Sequence, residues 1–199
     1  SAGAEQPVVV TKPRNGSGAK GLCYPDCKKL FTQLMEWIRR RLRMKQMKEW
    51  IAWTRKNVTE ENKEFLRSLP MGIHFMAGKY CVKIVHGSPR RLNEYLCEDV
   101  ADEYLMELLV ESNSDVLVCG HTHIPYYKKL SDDKHVINAG SVGKPRHGDP
   151  QAVYVLLEIN RKVWVNSHKV RYDIESVARA VEAAGLTKEF AVNLRTGRG

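Results

Sequence analysis

The spacing of apolar residues predicts helices in the first third of the chain. Between residues 26 and 57, apolar side chains recur at intervals of three and four, at Leu30, Leu34, Trp37, Ile38, Leu42, Met47, Trp50 and Ile51. This period is typical of amphipathic helix, here interrupted once. Thr59 can cap a following helix over residues 61–69, because Glu60 and Glu61 suit its first turn and Pro70 follows its end.

From Gly72 onward the pattern favours strands. Residues 72–88 predict a hairpin, and residues 99–112 predict an amphipathic helix. Four strand-like runs follow, at residues 115–120, 134–141, 152–159 and 162–170. Residues 173–186 predict a helix with Gly185 as its C-cap, followed by a basic tail. Helices first, strands in the middle and a helix last indicate an α/β or α+β fold.

Polar clusters follow three of the strand-like runs, and we expect them to meet. The clusters are HGSPRR (86–91), GHTHIP (120–125) and NAGSVGKPR (138–146). Ligands of open α/β sheets bind beyond the carboxyl ends of the strands, so the three clusters are predicted to share one site. His121 and His123 offer two imidazoles and His86 a third, and neutral imidazole is a common metal ligand.

Other residue groups have simpler interpretations. We interpret four further histidines as surface or core residues: His74, His135, His147 and His168. A basic run is the solvated face of a helix or, alternatively, an anion-binding patch: Arg39, Arg40, Arg41, Arg43, Lys45 and Lys48. Trp50 and Trp53 have the spacing of ordinary helix core, and Cys23 with Cys27 lacks the second pair of a zinc site.

Composition limits the class of protein. With 199 residues, 43% hydrophobic and 28% charged, the chain suits a single globular domain over residues 1–199. Residues 1–24 are atypical, since their Gly, Pro and basic residues favour a loop or a mobile arm. The net charge of +9 favours anionic partners such as phosphate esters or nucleic acid.

The expected compartment is the cytoplasm. Five scattered cysteines, an odd number, indicate a reducing environment. The segment SAGAEQPVVV lacks the features of a signal peptide, and no apolar run approaches the roughly 18 residues of a membrane span. No membrane interaction is therefore predicted.

The motifs HGSPR, GHTH and NAGSVGKPR, together with residues 52–70, resemble the calcineurin-like metallophosphoesterase superfamily, in particular its small bacterial and archaeal phosphodiesterase branch. The resemblance extends from about Ala52 to Arg198. It implies a metallophosphoesterase-like β-sandwich of two mixed sheets flanked by helices, incomplete at the N-terminus here, with a two-metal site at the strand ends.

The resemblance also implies roles for single residues. His86 and His121 would bind one divalent ion and His123 the other, with manganese, nickel, zinc or iron as candidate metals. Such a metal pair would activate a bridging hydroxide for attack on phosphorus. Four residues of the same motifs are predicted to bind the phosphate: Ser88, Arg90, Asn138 and Ser141.

The chain departs from the family in its first half. The family's Asp-x-His, Gly-Asp and Gly-Asn-His-Asp motifs are not found where they should stand; Lys12 to Arg14 and Ala19 occupy two of the expected positions. Carboxylates normally offset the charge of a divalent pair, and three neutral histidines do not. Either the chain is a rearranged or truncated member, or part of the natural sequence is missing.

Three functions follow from these patterns. The first is a metal-dependent phosphodiesterase or phosphatase acting on a phosphoester substrate. The second is a catalytically impaired scaffold that binds a protein partner, as the family's retromer subunit does. The third is a basic anion or nucleic-acid binder, which only the charge and the arginine run support.

Overall fold

The computed structural model describes residues 35, 36, 44, 45 and 47–199. The chain divides into two units, Ser1–Glu49 and Trp50–Gly199. The described residues of the first unit are helical. Several predictions lie outside the described residues. They concern the atypical segment 1–24, most of the helix predicted over residues 26–57, the cysteines Cys23 and Cys27, and the arginines of the basic run.

The described chain begins with helices and continues with strands. Residues 47–57 are helical (α1). The remaining helices are α2 (Glu60–Ser68), α3 (Asp102–Glu111), α4 (Ile174–Ala183) and α5 (Lys188–Thr196). The strands are β1 (Gly72–Ala77), β2 (Tyr80–Val85), β3 (Val116–Cys119), β4 (Tyr126–Lys129), β5 (His135–Asn138), β6 (Ala152–Ile159) and β7 (Val163–Val170).

Five strands form a mixed sheet in the order β1-β2-β3-β5-β4, and β6 with β7 forms a two-stranded antiparallel sheet. The predicted hairpin is confirmed, with Gly72 opposite Val85 across β1 and β2. β2, β3 and β5 are parallel neighbours, so their carboxyl ends lie at the same edge of the sheet. That edge carries the three polar clusters.

The side chains of the short central strands point alternately to the two faces of the five-stranded sheet, and each face carries its own hydrophobic core. Leu117 and Val136 pack with the apolar side of α3, which includes Leu105 and Leu108. On the other face, a second buried cluster joins the five-stranded sheet to the β6–β7 sheet, and its members are Tyr80, Val82, Val116, Ile137 and Val163. Two facing sheets with a helix against one of them confirm the predicted α/β fold class.

Local signals located several elements correctly. Thr59 caps α2 through a hydrogen bond from the Asn62 backbone N–H to its Oγ1 at 3.2 Å. The C-cap of α4 is Ala184, one residue before the predicted Gly185, which follows it with a positive φ of 72°. The helix predicted from residue 99 begins at Asp102.

Other predictions were wrong. Residues 188–196 form α5 instead of a basic tail, and β4 was not predicted. Trp50 and Trp53 were interpreted as core, yet they are 39% and 38% exposed. Trp50 packs against the ring of Phe190, at a centroid distance of 5.2 Å. In the part of the chain that the structure describes, no helix is long and apolar enough to span a membrane.

Candidate active site

Backbone hydrogen bonds bring the polar clusters together at the carboxyl edge of the five-stranded sheet. The Gly120 N–H donates to the carbonyl oxygen of His86 at 2.9 Å, which joins the residues that follow β3 and β2. The Ala139 N–H donates to the carbonyl oxygen of Cys119 at 2.9 Å, which joins β5 to β3. The convergence expected from the sequence is thus a property of the parallel register.

Two imidazoles from different strand ends are in direct contact. His86 Nε2 lies 2.9 Å from His121 Nδ1, and the ring centroids are 4.8 Å apart with the planes at 67°. The two residues are 35 positions apart in the chain. The fold therefore holds two ring nitrogens next to each other, although no local sequence pattern relates His86 to His121.

The loop that carries the histidines has an unusual backbone. His121 and His123 both have φ of 62°, in the left-handed region that non-glycine residues seldom adopt. Conformations of this kind cost about 1–3 kcal/mol each and persist where surrounding contacts enforce them. The left-handed turns place both histidine side chains beyond the end of β3.

Asn138 and Thr122 provide those contacts. The Asn138 amide donates to the carbonyl oxygen of Gly120 at 2.8 Å and to Thr122 Oγ1 at 2.9 Å. Its Oδ1 accepts a hydrogen bond from the Gly140 N–H at 3.0 Å. Both side chains are almost fully buried, so their hydrogen bonds are shielded from water. The end of β5 thereby fixes the shape of the loop at residues 120–125, which we call the histidine loop.

His123 is oriented by a backbone carbonyl. Its Nδ1 lies 2.7 Å from the carbonyl oxygen of Lys144, which can only accept a hydrogen bond. Nδ1 therefore carries the proton, and Nε2 of the neutral ring keeps a lone pair. Metal-binding histidines commonly have this arrangement, because an acceptor on one ring nitrogen fixes the tautomer that leaves the other free to bind.

Burial and nearby charges lower the pKa values of His121 and His123. Burial lowers the pKa of His121, and the nearby His86 and Arg146 lower it further. Burial also lowers the pKa of His123; the hydrogen bond to the Lys144 carbonyl opposes this, while the charges of Arg146 and Lys144 add to it. Neutral imidazole is the form that binds metal ions, so the lowered pKa values favour a ligand role.

The described residues do not complete a metal centre. Among them, no group of three or more histidine, cysteine, aspartate or glutamate side chains is arranged to hold a metal ion. His86 and His121 supply two adjacent nitrogens, whereas His123 lies beside the cationic Lys144 and Arg146. A two-metal centre needs anionic ligands to offset its charge, and this donor set consists of neutral nitrogens.

Two of the predicted phosphate ligands have their polar groups engaged by other residues of the protein. Ser88 Oγ accepts hydrogen bonds from the backbone N–H groups of Arg90 and Arg91, at 3.1 and 3.0 Å, and donates to Glu94. The Arg90 guanidinium pairs with Glu111, with Nε 2.7 Å from a carboxylate oxygen. These contacts give Ser88 and Arg90 a structural role in this conformation.

The other two predicted phosphate ligands also support the loops. Asn138 uses both ends of its amide on the histidine loop and the turn after β5. Ser141 Oγ accepts a hydrogen bond from the Lys144 N–H at 2.8 Å and remains partly exposed. Phosphate binding by Ser88, Arg90, Asn138 and Ser141 stays a prediction.

Three residues near the histidines were not singled out from the sequence. The Tyr95 ring lies 4.2 Å from the His121 ring, with the planes tilted by 43°. Arg146 adds positive charge near His121 and His123, and Lys144 adds it near His123. The two cations belong to the motif NAGSVGKPR and could have been found there, whereas Tyr95 lies in a loop without a recognisable pattern.

Comparison with known proteins decides the family. The sequence model of the calcineurin-like phosphoesterase superfamily domain matches residues 44–162, more than half of the chain. The chain belongs to this superfamily. The resemblance inferred from the motifs is therefore confirmed.

Three individual proteins are similar to this chain. An uncharacterized protein of Methanocaldococcus jannaschii is 29% identical over 164 residues, covering 74% of this chain and 65% of that protein. A metallophosphoesterase from Sphaerobacter thermophilus is 28% identical with a TM-score of 0.63, covering 73% of this chain and 66% of the other. A hypothetical protein from Pyrococcus horikoshii, 22% identical with a TM-score of 0.64, shares the fold over 71% of this chain and 56% of its own. The present chain spans less than two thirds of each of these relatives.

Proposed function

We propose that the protein is a metal-dependent phosphoesterase whose His86, His121 and His123 bind divalent cations at the carboxyl edge of the five-stranded sheet. The observation that carries the proposal is the 2.9 Å contact between His86 Nε2 and His121 Nδ1. Two strand ends that are distant in sequence present adjacent nitrogens at the place where α/β folds bind ligands. Membership of the phosphoesterase superfamily supports the same activity.

The surroundings of the histidines suit an anionic substrate. Arg146 lies near His121 and His123, Lys144 lies near His123, and the whole chain carries a net charge of +9. Cations near a binding site raise the local concentration of phosphate esters and stabilise their charge. We assign Arg146 to substrate attraction and the three histidines to metal binding, since the Lys144 ammonium lies over the rings of Trp50 and Phe190.

The anionic ligands of the proposed site must have another source. The two-metal hydroxide implied by the family would need carboxylates, and the described donor set offers neutral nitrogens. They would come from residues not recognised in this chain, from a partner chain or from sequence absent here. The proposal therefore assigns no reaction step to the metals.

Metal analysis and turnover test this proposal together. Mass spectrometry of the purified protein would give its intact mass and its metal content. The protein is then loaded with manganese, nickel, cobalt or zinc and assayed with bis(p-nitrophenyl) phosphate. We expect turnover with at least one metal and its loss in His121→Ala. The exposed His168 on β7 supplies a matched control, since His168→Ala leaves the site intact. Absence of turnover with all four metals would overturn the proposal.

A protein-binding scaffold is the second candidate function, and exposed apolar residues favour it. Ile73 and Phe75 on the edge strand β1 are 50% and 44% exposed, and Phe65 on α2 is 62% exposed. Exposed apolar clusters commonly mark interaction surfaces. A scaffold would contain substoichiometric metal and show no turnover, and Phe75→Ser would weaken its partner binding without changing its metal content.

The nucleic-acid hypothesis has a simple test of its own. Electrostatic binding to nucleic acid weakens steeply with salt because bound counterions are released. Binding to mixed-sequence DNA or RNA at low ionic strength, lost at high salt, would support it. No binding at low ionic strength would eliminate it.

A further inference from the structure

A cavity lies at the opposite end of the sheet from the histidine pair. It has a volume of about 520 Å³ and is bordered by three hairpin turns, those joining β1 to β2, β4 to β5 and β6 to β7. β5 begins at this cavity with His135 and ends at the other site with Asn138. Since β5 has four residues, the two places are separated by roughly 10 Å of strand.

The three turns give the cavity an excess of positive charge. Its lining contains Lys79, Lys129, Arg161 and Lys162 against two aspartates, Asp132 and Asp133. Lys79 pairs with Asp133 at 2.6 Å and Lys129 with Asp132 at 2.7 Å. Arg161 and Lys162 form no ion pair with any described residue. Two cations at the rim are thus available to an anion.

The cavity also contains a buried histidine with an unsatisfied nitrogen. His135 is 2% exposed, and its Nδ1 lies 2.9 Å from the Tyr127 hydroxyl. Its Nε2 is buried and has no hydrogen-bond partner among the described residues. Leaving a buried polar atom unpaired costs about 1–3 kcal/mol, and Nε2 is closed to solvent, so His135 forms a neutral floor beneath the cavity.

Aromatic side chains form the remaining wall. Trp164 is 62% exposed and Tyr127 40% exposed, and both line the cavity. The Tyr127 and His135 rings are stacked, with an interplanar angle of 17°. Exposed aromatic faces beside cations suit a ligand that has both a planar ring and a negative group.

We propose that this cavity is a second ligand site that binds a mononucleotide, with the phosphate at Arg161 and Lys162 and the base against Trp164. The volume lies in the range of small-molecule sites and exceeds what inorganic phosphate would fill. The proposal is independent of metal binding at His86, His121 and His123.

Calorimetry on the full chain tests the proposal, in a metal-free buffer of low ionic strength that contains a chelator. The probes are adenosine monophosphate, adenosine and inorganic phosphate. We expect the nucleotide to bind at least about tenfold more tightly than either fragment, because it uses both the cationic rim and the aromatic wall. His121→Ala should bind the nucleotide as the wild type does, which separates this site from the proposed phosphoesterase site.

Variants of the turn residues locate the binding. Arg161→Ala with Lys162→Ala should weaken nucleotide binding at least about tenfold, and Trp164→Ala about fivefold. Arg171→Ala with Lys188→Ala removes the same charge from positions elsewhere and should leave binding unchanged. The proposal is overturned if the nucleotide does not bind, if inorganic phosphate binds as tightly, or if the Arg161 and Lys162 substitutions have no effect. Circular dichroism confirms that each variant is folded.

Discussion

Asn138, the last residue of β5, is hydrogen-bonded to the histidine loop. Its side-chain nitrogen lies 2.9 Å from Thr122 Oγ1 and 2.8 Å from the carbonyl oxygen of Gly120. Because His121 and His123 have positive φ, this loop would relax without such support. The position of the proposed metal ligands thus depends on a buried amide that belongs to a different strand.

Asn138→Ala should destabilise the protein by about 2–4 kcal/mol, since it leaves several buried polar groups unpaired. Urea unfolding monitored by circular dichroism measures the change. Asn166→Ala, at an exposed position on β7, is the control and should stay within about 0.5 kcal/mol of the wild type. Equal effects from the two substitutions would show that the Asn138 hydrogen bonds do not support the loop.

We expect a side chain at Gly87 to destabilise the protein. A Cβ at this position would lie 2.7 Å from the carbonyl oxygen of Arg91 and closer still to that of Leu92. Gly87→Ala should therefore cost about 1–3 kcal/mol of unfolding free energy, because the backbone must shift. A Cβ added at Gly143 would meet no atom within 4 Å, so Gly143→Ala is the matched control and should be nearly neutral. A neutral Gly87→Ala would contradict the close approach of the two loop segments.

His135 should make the stability depend on pH. Burial lowers its pKa, and Lys129 adds to this, while a backbone contact to Asp132 and the charges of Asp133 and Asp115 oppose it. Below about pH 6.5 the unfolded histidine takes up a proton that the folded one still excludes. The unfolded state then binds more protons, so the unfolding free energy falls as the pH falls from about 6.5 towards the lowered pKa.

Urea unfolding between about pH 7.5 and 5.5 measures this dependence, since that interval brackets the ordinary pKa of histidine. His135→Gln should reduce the slope in that interval, whatever its effect on absolute stability, because it removes the titrating group. The slope that remains belongs partly to His121 and His123, whose pKa values are also lowered. A slope in His135→Gln identical to that of the wild type would show that His135 is not held neutral.

The described cysteines should differ in reactivity. Burial raises the pKa of the Cys119 thiol to about 11, whereas Cys81 and Cys97 are partly exposed. Since the thiolate is the reactive form, iodoacetamide at about pH 8 should label Cys119 at least about tenfold more slowly than the other two. Peptide mapping by mass spectrometry gives the rates, and labelling in urea should remove the difference. Rapid labelling of Cys119 in the native protein would mean that the packing between β3 and α3 opens easily.

The sequence predicted the parts of the structure that depend on local periodicity and on strand ends. The β1–β2 hairpin, α2 with its Thr59 cap, and β3 and β5 with their polar ends could all be found from the pattern. The meeting of His86 with His121 followed from the rule that parallel strands place their carboxyl ends at one edge.

Features that depend on tertiary contacts could not be predicted in this way. β4 has four residues and two lysines, and becomes a strand because it pairs with β5. Trp50 has core spacing on α1, but the packing around it leaves the ring partly exposed. Ser88 and Arg90 carry suitable groups for phosphate, yet Glu94 and Glu111 engage them, and nothing in the motif HGSPR indicates those partners.

The left-handed backbone of the histidine loop has a consequence for laboratory evolution of this protein. At positions 121 and 123, β-branched substitutes such as valine or isoleucine would meet a steric penalty before any question of metal affinity arises. Selection from a randomised library for folded protein alone should therefore enrich glycine, asparagine and aspartate at both positions. The imidazoles themselves would be recovered only when the selection demands the chemistry that they perform.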